Sequence, residues 1–194
     1  MFCKMKGKLI IISAPSGSGK TTIVNHLLGQ EFNLTFSVSA TSRQPRPGEV
    51  NGKNYLFLTK EEFKNRIDNG EFLEWEEVYD GIYYGTLKSE VDKIRESGKN
   101  IILDVDVVGG LNIKKIYREK ALAIFVKPPS LKELKNRLKK RSTETCDKIE
   151  MRINKAQEEL LFAGRFDAVI INDNLQTALK EAEKLVSDFI SRPW

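Results

Sequence analysis

A short run of small and basic residues near the start of the chain has the composition of a phosphate-binding loop. It contains Gly17 and Gly19 and ends in Lys20 and threonines. Glycine adopts backbone angles closed to other residues, so successive N–H groups can point into one concavity that binds an anion. Lys20 would add a charge for the β- and γ-phosphates of a nucleotide, and the Thr21 hydroxyl is placed to ligate Mg²⁺. The predicted loop comprises Ala14, Pro15, Ser16, Gly17, Ser18, Gly19, Lys20, Thr21 and Thr22.

The flanking residues supply the elements that such a loop requires. The apolar, β-branched run 9–12 predicts a buried strand before the loop, and residues 23–28 predict a helix after it. That helix would direct the positive end of its dipole toward a bound phosphate. The full motif G-x-x-x-x-G-K-[ST] has glycine where this chain has Ala14, the smallest substitute. The alternative is a glycine- and serine-rich turn that precedes a helix with an incidental lysine.

Two aspartates end another apolar run. Residues 100–106 predict a strand that carries Asp104 and Asp106 at its carboxyl end. Because residues two apart on a strand share a face, both carboxylates could point toward one crevice. Beside a phosphate-binding loop, they are placed to hold Mg²⁺ or a water molecule bound to it. The alternative is a pair of loop acids that cap the next helix.

A proline-rich loop carries two further cations. Residues 43–49 contain Arg43 and Arg46 with two prolines and a glycine, a composition that excludes a helix. Arginines on a rigid loop can form bidentate contacts with a phosphate, and the phenols of Tyr55 and Tyr84 can add hydrogen-bond donors. The residues alone leave open that both arginines are solvated on the surface.

Basic residues are also dense in the second half of the chain. A charge run of this kind is usually the solvated face of a helix. Near a phosphate site it could instead form a lid that delivers arginines to the transferring phosphoryl group. The residues concerned are Lys135, Arg137, Lys139, Lys140, Arg141 and Arg152.

The overall composition bounds the class of protein. Of 194 residues, 30% are charged and 40% are hydrophobic, which favours one globular domain with room for small inserted lobes. The net charge of +5 suits anionic ligands, although 27 acidic residues are interspersed with the basic ones. No basic face with exposed aromatic residues is evident, so nucleic-acid binding is not expected.

No segment predicts a membrane protein or an exported one. No apolar run is long enough to span a bilayer, and the first eight residues lack the apolar core of a signal peptide. Cys3 and Cys146 lie far apart and form no metal or redox motif, so we expect a reducing cytoplasm. His26 is the only histidine, and we expect it to pack in the helix after the glycine-rich loop rather than to act in catalysis.

Strands and helices alternate along most of the chain, which indicates an α/β fold with a parallel sheet covered on both faces. Residues 39–86 interrupt the alternation with a small β-rich lobe, and residues 130–162 interrupt it with two charged helices. Phe72, Glu74 and Glu76 are expected to share one face of a strand in the lobe. Strands are predicted at 9–13, 36–42, 55–58, 72–79, 83–85, 100–106, 121–126 and 168–171. Helices are predicted at 23–28, 59–69, 88–97, 107–117, 130–140, 146–162 and 175–190.

Several motifs together resemble those of the guanylate kinases, in the same order and over nearly the whole chain. The stretch 39–52 and the element Tyr83-Tyr84-Gly85-Thr86 are far more specific than a glycine-rich loop alone. The other matching motifs are residues 15–21, Glu74-Trp75, 103–106 and 141–145. The family transfers a phosphoryl group from ATP to GMP with Mg²⁺, in purine nucleotide metabolism.

The resemblance implies a fold and a set of roles. It implies a P-loop NTPase core at about 1–38, 87–129 and 163–194, an inserted GMP-binding lobe at about 39–86 and a mobile lid at about 130–162. ATP would be bound by residues 14–22 and Asn172, and Mg²⁺ by Thr21 and Asp104. Asp173, beside Asn172, falls in the same segment near the adenine site. The implied catalytic residues are Lys20, Arg43, Arg137, Arg141 and Arg152. The implied GMP contacts are Ser39, Arg43, Arg46, Tyr55, Glu74, Tyr84 and Asp106.

Base selectivity has a physical explanation under this resemblance. A carboxylate such as Glu74 can accept from N1–H and the N2 amine of guanine, a pair of donors that adenine lacks. The implied partners are therefore the small molecules ATP and GMP, with no nucleic acid and no membrane. Monomer and homo-oligomer both remain open.

Two other functions fit part of the sequence. A guanylate-kinase-like interaction module would have lost the phosphate-binding loop, but Gly19, Lys20 and Thr21 are intact. A related kinase acting on a phosphorylated sugar would have lost the guanine-reading set, but Glu74 is present together with Ser39 and Asp106.

Overall fold

The computed structural model describes residues 6–141 and 146–193, and their side chains except those of 79, 141 and 146–148. The strands in these residues are β1 (Leu9–Ser13), β2 (Leu34–Phe36), β3 (Ala40–Thr41), β4 (Leu56–Phe57), β5 (Phe72–Tyr79), β6 (Ile82–Leu87), β7 (Asn100–Asp104), β8 (Ala121–Lys127) and β9 (Ala168–Ile171). The α-helices are α1 (Lys20–Leu28), α2 (Lys60–Asp68), α3 (Lys88–Glu96), α4 (Val107–Tyr117), α5 (Leu131–Arg141), α6 (Cys146–Leu160) and α7 (Leu175–Ser191). No helix within the described ranges is long and apolar enough to cross a bilayer.

Five strands form a parallel sheet in the order β2-β7-β1-β8-β9. β1 pairs with β8 from Leu9 beside Ala121 to Ser13 beside Phe125, and β8 pairs in parallel with β9. Every residue of β1 is buried, as expected for a strand that is covered on both faces. Helices flank this sheet, so the predicted α/β fold is confirmed.

A second sheet contains the strands of the predicted β-rich lobe, in the order β4-β3-β6-β5. Its apolar face packs on α2, where the Phe63 ring stacks on Phe72 with ring centroids 4.4 Å apart. Ala40, Tyr83 and Leu87 complete this small core. The lobe therefore has its own hydrophobic centre, which holds its strands and α2 together.

The chain divides into two compact units. The first comprises Thr35–Ile101 with the described part of Met1–Lys8, and the second comprises Leu9–Leu34 with the described part of Ile102–Trp194. The second sheet lies in the first unit. The glycine-rich loop, α5 and α6 lie in the second unit. The bounds of core, lobe and lid inferred from sequence stay a prediction.

One of the two adjacent glycines in α4 has a packing explanation. A Cβ atom at Gly110 would lie 2.5 Å from the Ser13 hydroxyl oxygen and 3.2 Å from a methyl carbon of Ile11. Glycine at this position therefore lets α4 approach β1 closely. The helix forms here although glycine lowers helix propensity by about 1 kcal/mol relative to alanine.

The single strand predicted at 36–42 is wrong. The chain forms β2 and β3 instead, and residues 37–39 between them belong to no strand. β2 pairs in the five-stranded sheet and β3 in the four-stranded one. An alternating pattern does not reveal where a chain leaves one sheet for another, because the pattern is the same in both.

The shared face predicted for Phe72, Glu74 and Glu76 is also wrong. Phe72 pairs with Leu87, whereas Glu74 pairs with Thr86, because the register shifts between the two β5 residues. Neighbouring residues of β6 face opposite sides, so Phe72 and Glu74 do as well. This irregularity places Phe72 in the apolar core and turns Glu74 away from it.

Candidate functional site

The glycine-rich loop joins β1 to α1. Gly17 and Gly19 have φ angles of +90° and +97°, in the left-handed region that favours glycine. Gly19 is the N-cap residue of α1, and no side chain caps that end of the helix. Because the first N–H groups of a helix have no intrahelical acceptor, they offer donors to a bound anion.

Lys20 lies at the end of this loop and pairs with the carboxyl end of β7. Its Nζ is 2.5 Å from Oδ1 of Asp104 and donates to the Val105 carbonyl at 3.1 Å. Both side chains are about one-fifth exposed. The lysine is therefore held at the mouth of the loop, within reach of solvent and of a ligand.

The loop borders a cavity of about 340 Å³ in the second unit. Arg152 on α6 reaches this cavity and donates from Nη1 to the Ser16 hydroxyl at 3.1 Å. Thr21 and Asp106 also line it, so cations, a hydroxyl and a carboxylate face the same space. The complete lining is Ala14, Pro15, Ser16, Gly17, Gly19, Lys20, Thr21, Asp106, Arg152, Lys155 and Glu159.

The two predicted carboxylates do not share a strand face. β7 ends at Asp104, and Asp106 is the N-cap residue of α4. Oδ1 of Asp106 accepts from the N–H groups of Val108 and Gly109 at 2.8 and 2.9 Å. The expectation of a common strand face is therefore wrong, because the chain leaves the strand between the two residues. The alternative, that these acids cap the next helix, is correct for Asp106, while Asp104 pairs with Lys20.

Asn172 follows β9 and hydrogen-bonds to the backbone of the glycine-rich loop. Its side chain is buried, and Nδ2 donates to the Ser18 carbonyl at 2.8 Å. The backbone carbonyl of Asn172 accepts from Nη2 of Arg137 at 3.0 Å, and Nε of Arg137 donates to the Glu133 carboxylate. A second cavity of about 330 Å³ is lined here by Gly17, Gly19, Thr22, Arg137, Lys140, Asn172, Asp173 and Leu175. The side chain of Arg141 lies outside the described residues.

The first unit holds the arginine loop. Arg43 forms two contacts with Glu49, Nη1 to Oε2 at 2.8 Å and Nη2 to Oε1 at 2.9 Å. Nε of Arg43 donates to the Tyr84 hydroxyl at 3.1 Å, and its Cζ lies 5.3 Å from the centre of the Tyr55 ring. The Arg46 side chain is exposed, while its N–H donates to Glu49.

The ion pair between Arg43 and Glu49 shifts the pKa of both groups. Hydrogen bonds from the Arg43 side chain, and then from the Arg46 N–H, lower the pKa of Glu49 from 4.5 to about 2. The hydrogen bonds to Glu49 raise the pKa of the Arg43 guanidinium above its ordinary value, and the hydrogen bond to the Tyr84 hydroxyl is the second largest cause. Glu49 is therefore ionised at any physiological pH.

The predicted guanine-reading residues of this unit lie on β5 and beside β3. Glu74 accepts at Oε1 from the Thr86 hydroxyl at 2.6 Å, and Thr86 is buried. Ser39 directly precedes β3, and its carbonyl accepts from the N–H of Leu56 at 2.9 Å. Glu74 pairs with Thr86, and Glu76 pairs with Tyr84. Because residues two apart on a strand share a face, Glu74, Tyr84 and Thr86 lie on the same face of the β5–β6 pair.

The predicted site residues thus form two groups, one in each unit. Sequence reasoning assigned no role to Glu49, Thr86, Lys155 or Glu159, although each contacts or borders one of these groups. Glu49 carries a readable signal, since it is the only acid in the loop 43–49. Lys155 and Glu159 carry a weaker one, because they follow Arg152 at helical spacing on α6.

Known proteins match this chain closely. A family model described as guanylate kinase matches residues 6–189. A guanylate kinase from Bacteroides thetaiotaomicron is 57% identical over 97% of this chain and 93% of its own length. One from Porphyromonas gingivalis is 53% identical over 95% of this chain and 99% of its own.

A solved structure supports the same family. The crystal structure of guanylate kinase from Anaplasma phagocytophilum superposes with a TM-score of 0.74 at 28% identity, covering 97% of this chain and 89% of that one. The alignments span both units, so they cover the glycine-rich loop and the arginine loop alike. The chain belongs to the guanylate kinase family.

Proposed function

We propose that the chain transfers the γ-phosphoryl group of ATP to GMP, giving ADP and GDP. The observation that carries this function is the presence, in one chain of this family, of a glycine-rich loop with a paired lysine and of an arginine loop. The first chemistry suits the phosphates of a donor nucleotide, and the second suits the phosphate of an acceptor.

Residues 14–22 are the proposed ATP-phosphate site. Backbone N–H groups at the start of α1 would bind the phosphate oxygens, and Lys20 would exchange its contact with Asp104 for the phosphoryl oxygens. Arg152 already contacts Ser16 in this loop, so it is placed to stabilise charge on the transferring group. Arg137 and Arg141 are further proposed transfer residues, and Asn172 is a proposed ATP contact.

Mg²⁺ fits the donor set at this loop. The Thr21 hydroxyl and the Asp104 carboxylate are hard oxygen donors, which this ion prefers. No group of three or more His, Cys, Asp or Glu residues within the described ranges could hold a metal. At kinase sites Mg²⁺ is generally held by one or two carboxylates together with substrate phosphates and water. When bound, Mg²⁺ would neutralise charge on the phosphates.

The first unit carries the proposed GMP contacts. Arg43, Arg46, Tyr55 and Tyr84 would bind the phosphate, and Ser39 with Glu74 would read the base. The Thr86 hydroxyl fixes one carboxylate oxygen of Glu74, so the carboxylate is oriented before the base arrives. Asp106 stays a proposed guanine contact, with one oxygen engaged by the α4 N-terminus. The cytoplasmic location stays a prediction from the cysteine pattern.

Replacement of Glu74 by glutamine tests the base-reading role. In the wild-type enzyme, AMP would set its N1 lone pair against the carboxylate, and a mismatch of this kind lowers kcat/KM by roughly 10⁴–10⁵. IMP lacks only the N2 amine and should be intermediate. Glu74→Gln should narrow the gap between GMP and AMP, because the amide can donate to adenine N1.

The measurement is kcat/KM for GMP, IMP and AMP on both proteins. Glu76→Gln is the matched control, since it removes the same charge from the same face of β5 and should leave the ratio unchanged. An unaltered GMP-to-AMP ratio in Glu74→Gln, or a wild-type preference for AMP, would refute the base-reading role.

A further inference from the structure

The carboxylate of Glu49 is enclosed by N–H donors of its own loop. Two come from the Arg43 guanidinium, and the third is the Arg46 N–H, which donates to Oε2 at 2.7 Å. The Glu49 N–H in turn donates to the Arg46 carbonyl at 3.0 Å, which closes the turn. The side chain is only 19% exposed. This acid is therefore built into the loop rather than resting on its surface.

The Arg43 guanidinium is fixed on several sides. Nη1 also donates to the Gln44 carbonyl at 2.8 Å, and Nε donates to the Tyr84 hydroxyl. Four of the five N–H groups of the guanidinium thus have acceptors, and the planar group has little freedom to turn. The second Nη2 hydrogen has no acceptor among the residues that the structure describes.

The contact with Tyr84 determines what that phenol can offer. A phenol oxygen that accepts a hydrogen bond from Nε keeps its own hydrogen for donation to another group. Arg43 therefore presents an N–H of its own and, through Tyr84, an O–H. Both are the donors that a phosphate oxygen accepts.

A phosphate could relate to Glu49 in two ways. It could displace the carboxylate from Arg43, since both anions accept from the same two guanidinium nitrogens. It could instead bind to the remaining donors while Glu49 stays in place. The backbone donor at Arg46 favours the second, because displacement would also leave that N–H without its acceptor.

We infer that Glu49 is a positioning residue for the acceptor phosphate, holding the Arg43 plane so that Nη2 and the Tyr84 hydroxyl donate to the phosphate. The inference rests on the proposed function and adds a residue to it. The expected effect on phosphate affinity is unusual, because an acidic side chain then strengthens the binding of an anion. Coulomb repulsion between the carboxylate and the phosphate predicts the reverse, since removing a negative charge near a phosphate site should tighten phosphate binding.

The test is Glu49→Gln, assayed with the full-length enzyme and saturating ATP. We expect KM for GMP to rise about tenfold to hundredfold, the range for charge-assisted hydrogen bonds, with KM for ATP unchanged. Guanosine lacks the phosphate, so its inhibition constant against GMP should stay unchanged. The ratio of guanosine to GMP affinity is thus the readout that general damage to the fold would not move selectively.

Two variants complete the design. Glu61→Gln removes the same charge from an exposed position on α2 in the same unit and should leave both affinities unaltered. Glu49→Asp keeps the charge one methylene closer to the backbone and should lose GMP affinity to an intermediate degree. If Glu49→Gln does not fold, the guanosine-to-GMP ratio of Glu49→Asp decides in its place.

The remaining outcomes overturn the inference. Tighter GMP binding by Glu49→Gln would mean that Glu49 competes with the phosphate, and unchanged binding would mean that it does not position Arg43. Parallel loss of guanosine and GMP affinity would mean that Glu49 only maintains the lobe. A wild-type enzyme that does not phosphorylate GMP would instead refute the proposed function itself.

Discussion

The two loops proposed to bind phosphate use different parts of the chain for the task. Residues 14–22 rely on the backbone, where Gly17 and Gly19 adopt left-handed angles at the start of α1. Residues 43–49 rely on side chains, because two of them are prolines without an N–H and the N–H groups of Arg43 and Arg46 already donate to Thr41 and Glu49. One loop is a concavity of main-chain donors, and the other is a network of charged side chains.

Each loop also holds its principal cation against a carboxylate, but the two ion pairs differ in geometry. Lys20 contacts one oxygen of Asp104 and donates to a second acceptor, the Val105 carbonyl. Arg43 has two contacts with Glu49, which is itself anchored by a backbone N–H. A flexible ammonium exchanges a single partner readily, whereas a planar fork does not. The lysine therefore suits a moving phosphoryl group, and the arginine suits a phosphate that must be held still.

Lys20→Ala removes the exchangeable cation and should have the largest effect. We expect kcat to fall by about 10³-fold, the upper range for loss of one donor to a transition-state charge. The fold should remain, because Lys20 is partly exposed and lies outside the apolar cores. The measurements are kcat with both substrates saturating and the melting temperature. Lys184→Ala, which removes an exposed lysine of α7, is the control, and near-normal turnover of Lys20→Ala would contradict its role.

Arg43→Lys keeps the charge and removes the planar fork, so it tests whether geometry matters in the second loop. We expect KM for GMP to rise about tenfold to hundredfold with a smaller change in kcat, since charged hydrogen bonds contribute about 1.5–3 kcal/mol. Arg66→Lys, at an exposed ion pair on α2, should change neither value. An unaltered KM in Arg43→Lys would show that a point charge suffices there.

The lowered pKa of Glu49 predicts a smaller effect that depends on pH. The pKa of Glu49 is about 2 in the folded chain, whereas its ordinary value of 4.5 applies to the unfolded chain. The unfolded chain therefore binds this proton more readily than the folded chain. The stabilisation is fully present above about pH 4.5 and is lost as the pH falls through 2. The melting-temperature difference between wild type and Glu49→Gln should therefore shrink on acidification across this window. A difference that stays constant there would contradict the folded-state pKa.

Local signals predicted most of the helices and strands. α2 begins where Thr59 and Glu62 form a capping box, close to the predicted start at residue 59, and β5 has the predicted ends. These determinants lie within a few residues of one another, so the sequence contains them in full. The glycine-rich loop was predictable for the same reason.

Contacts between distant residues were not predictable in this way. The face of Glu74 depends on its register against β6, and a one-residue irregularity reverses it. Asp106 caps α4 because β7 ends two residues earlier, which the apolar pattern does not mark. Glu49 is the only acid of the loop 43–49, but its pairing with Arg43 is seen only in the folded loop, since residues six apart on a loop have no fixed spacing.

The start of α1 links substrate concentration to the stability of the protein. Helices usually begin with a serine, threonine or aspartate whose side chain accepts from the first turn, but Gly19 has no such group. A bound phosphate would take that place. A ligand that binds the folded chain alone stabilises it by about 2.7 kcal/mol at one hundred times its Kd. By mass action, a higher nucleotide concentration would then raise the free energy of unfolding of the protein as well as its rate of turnover.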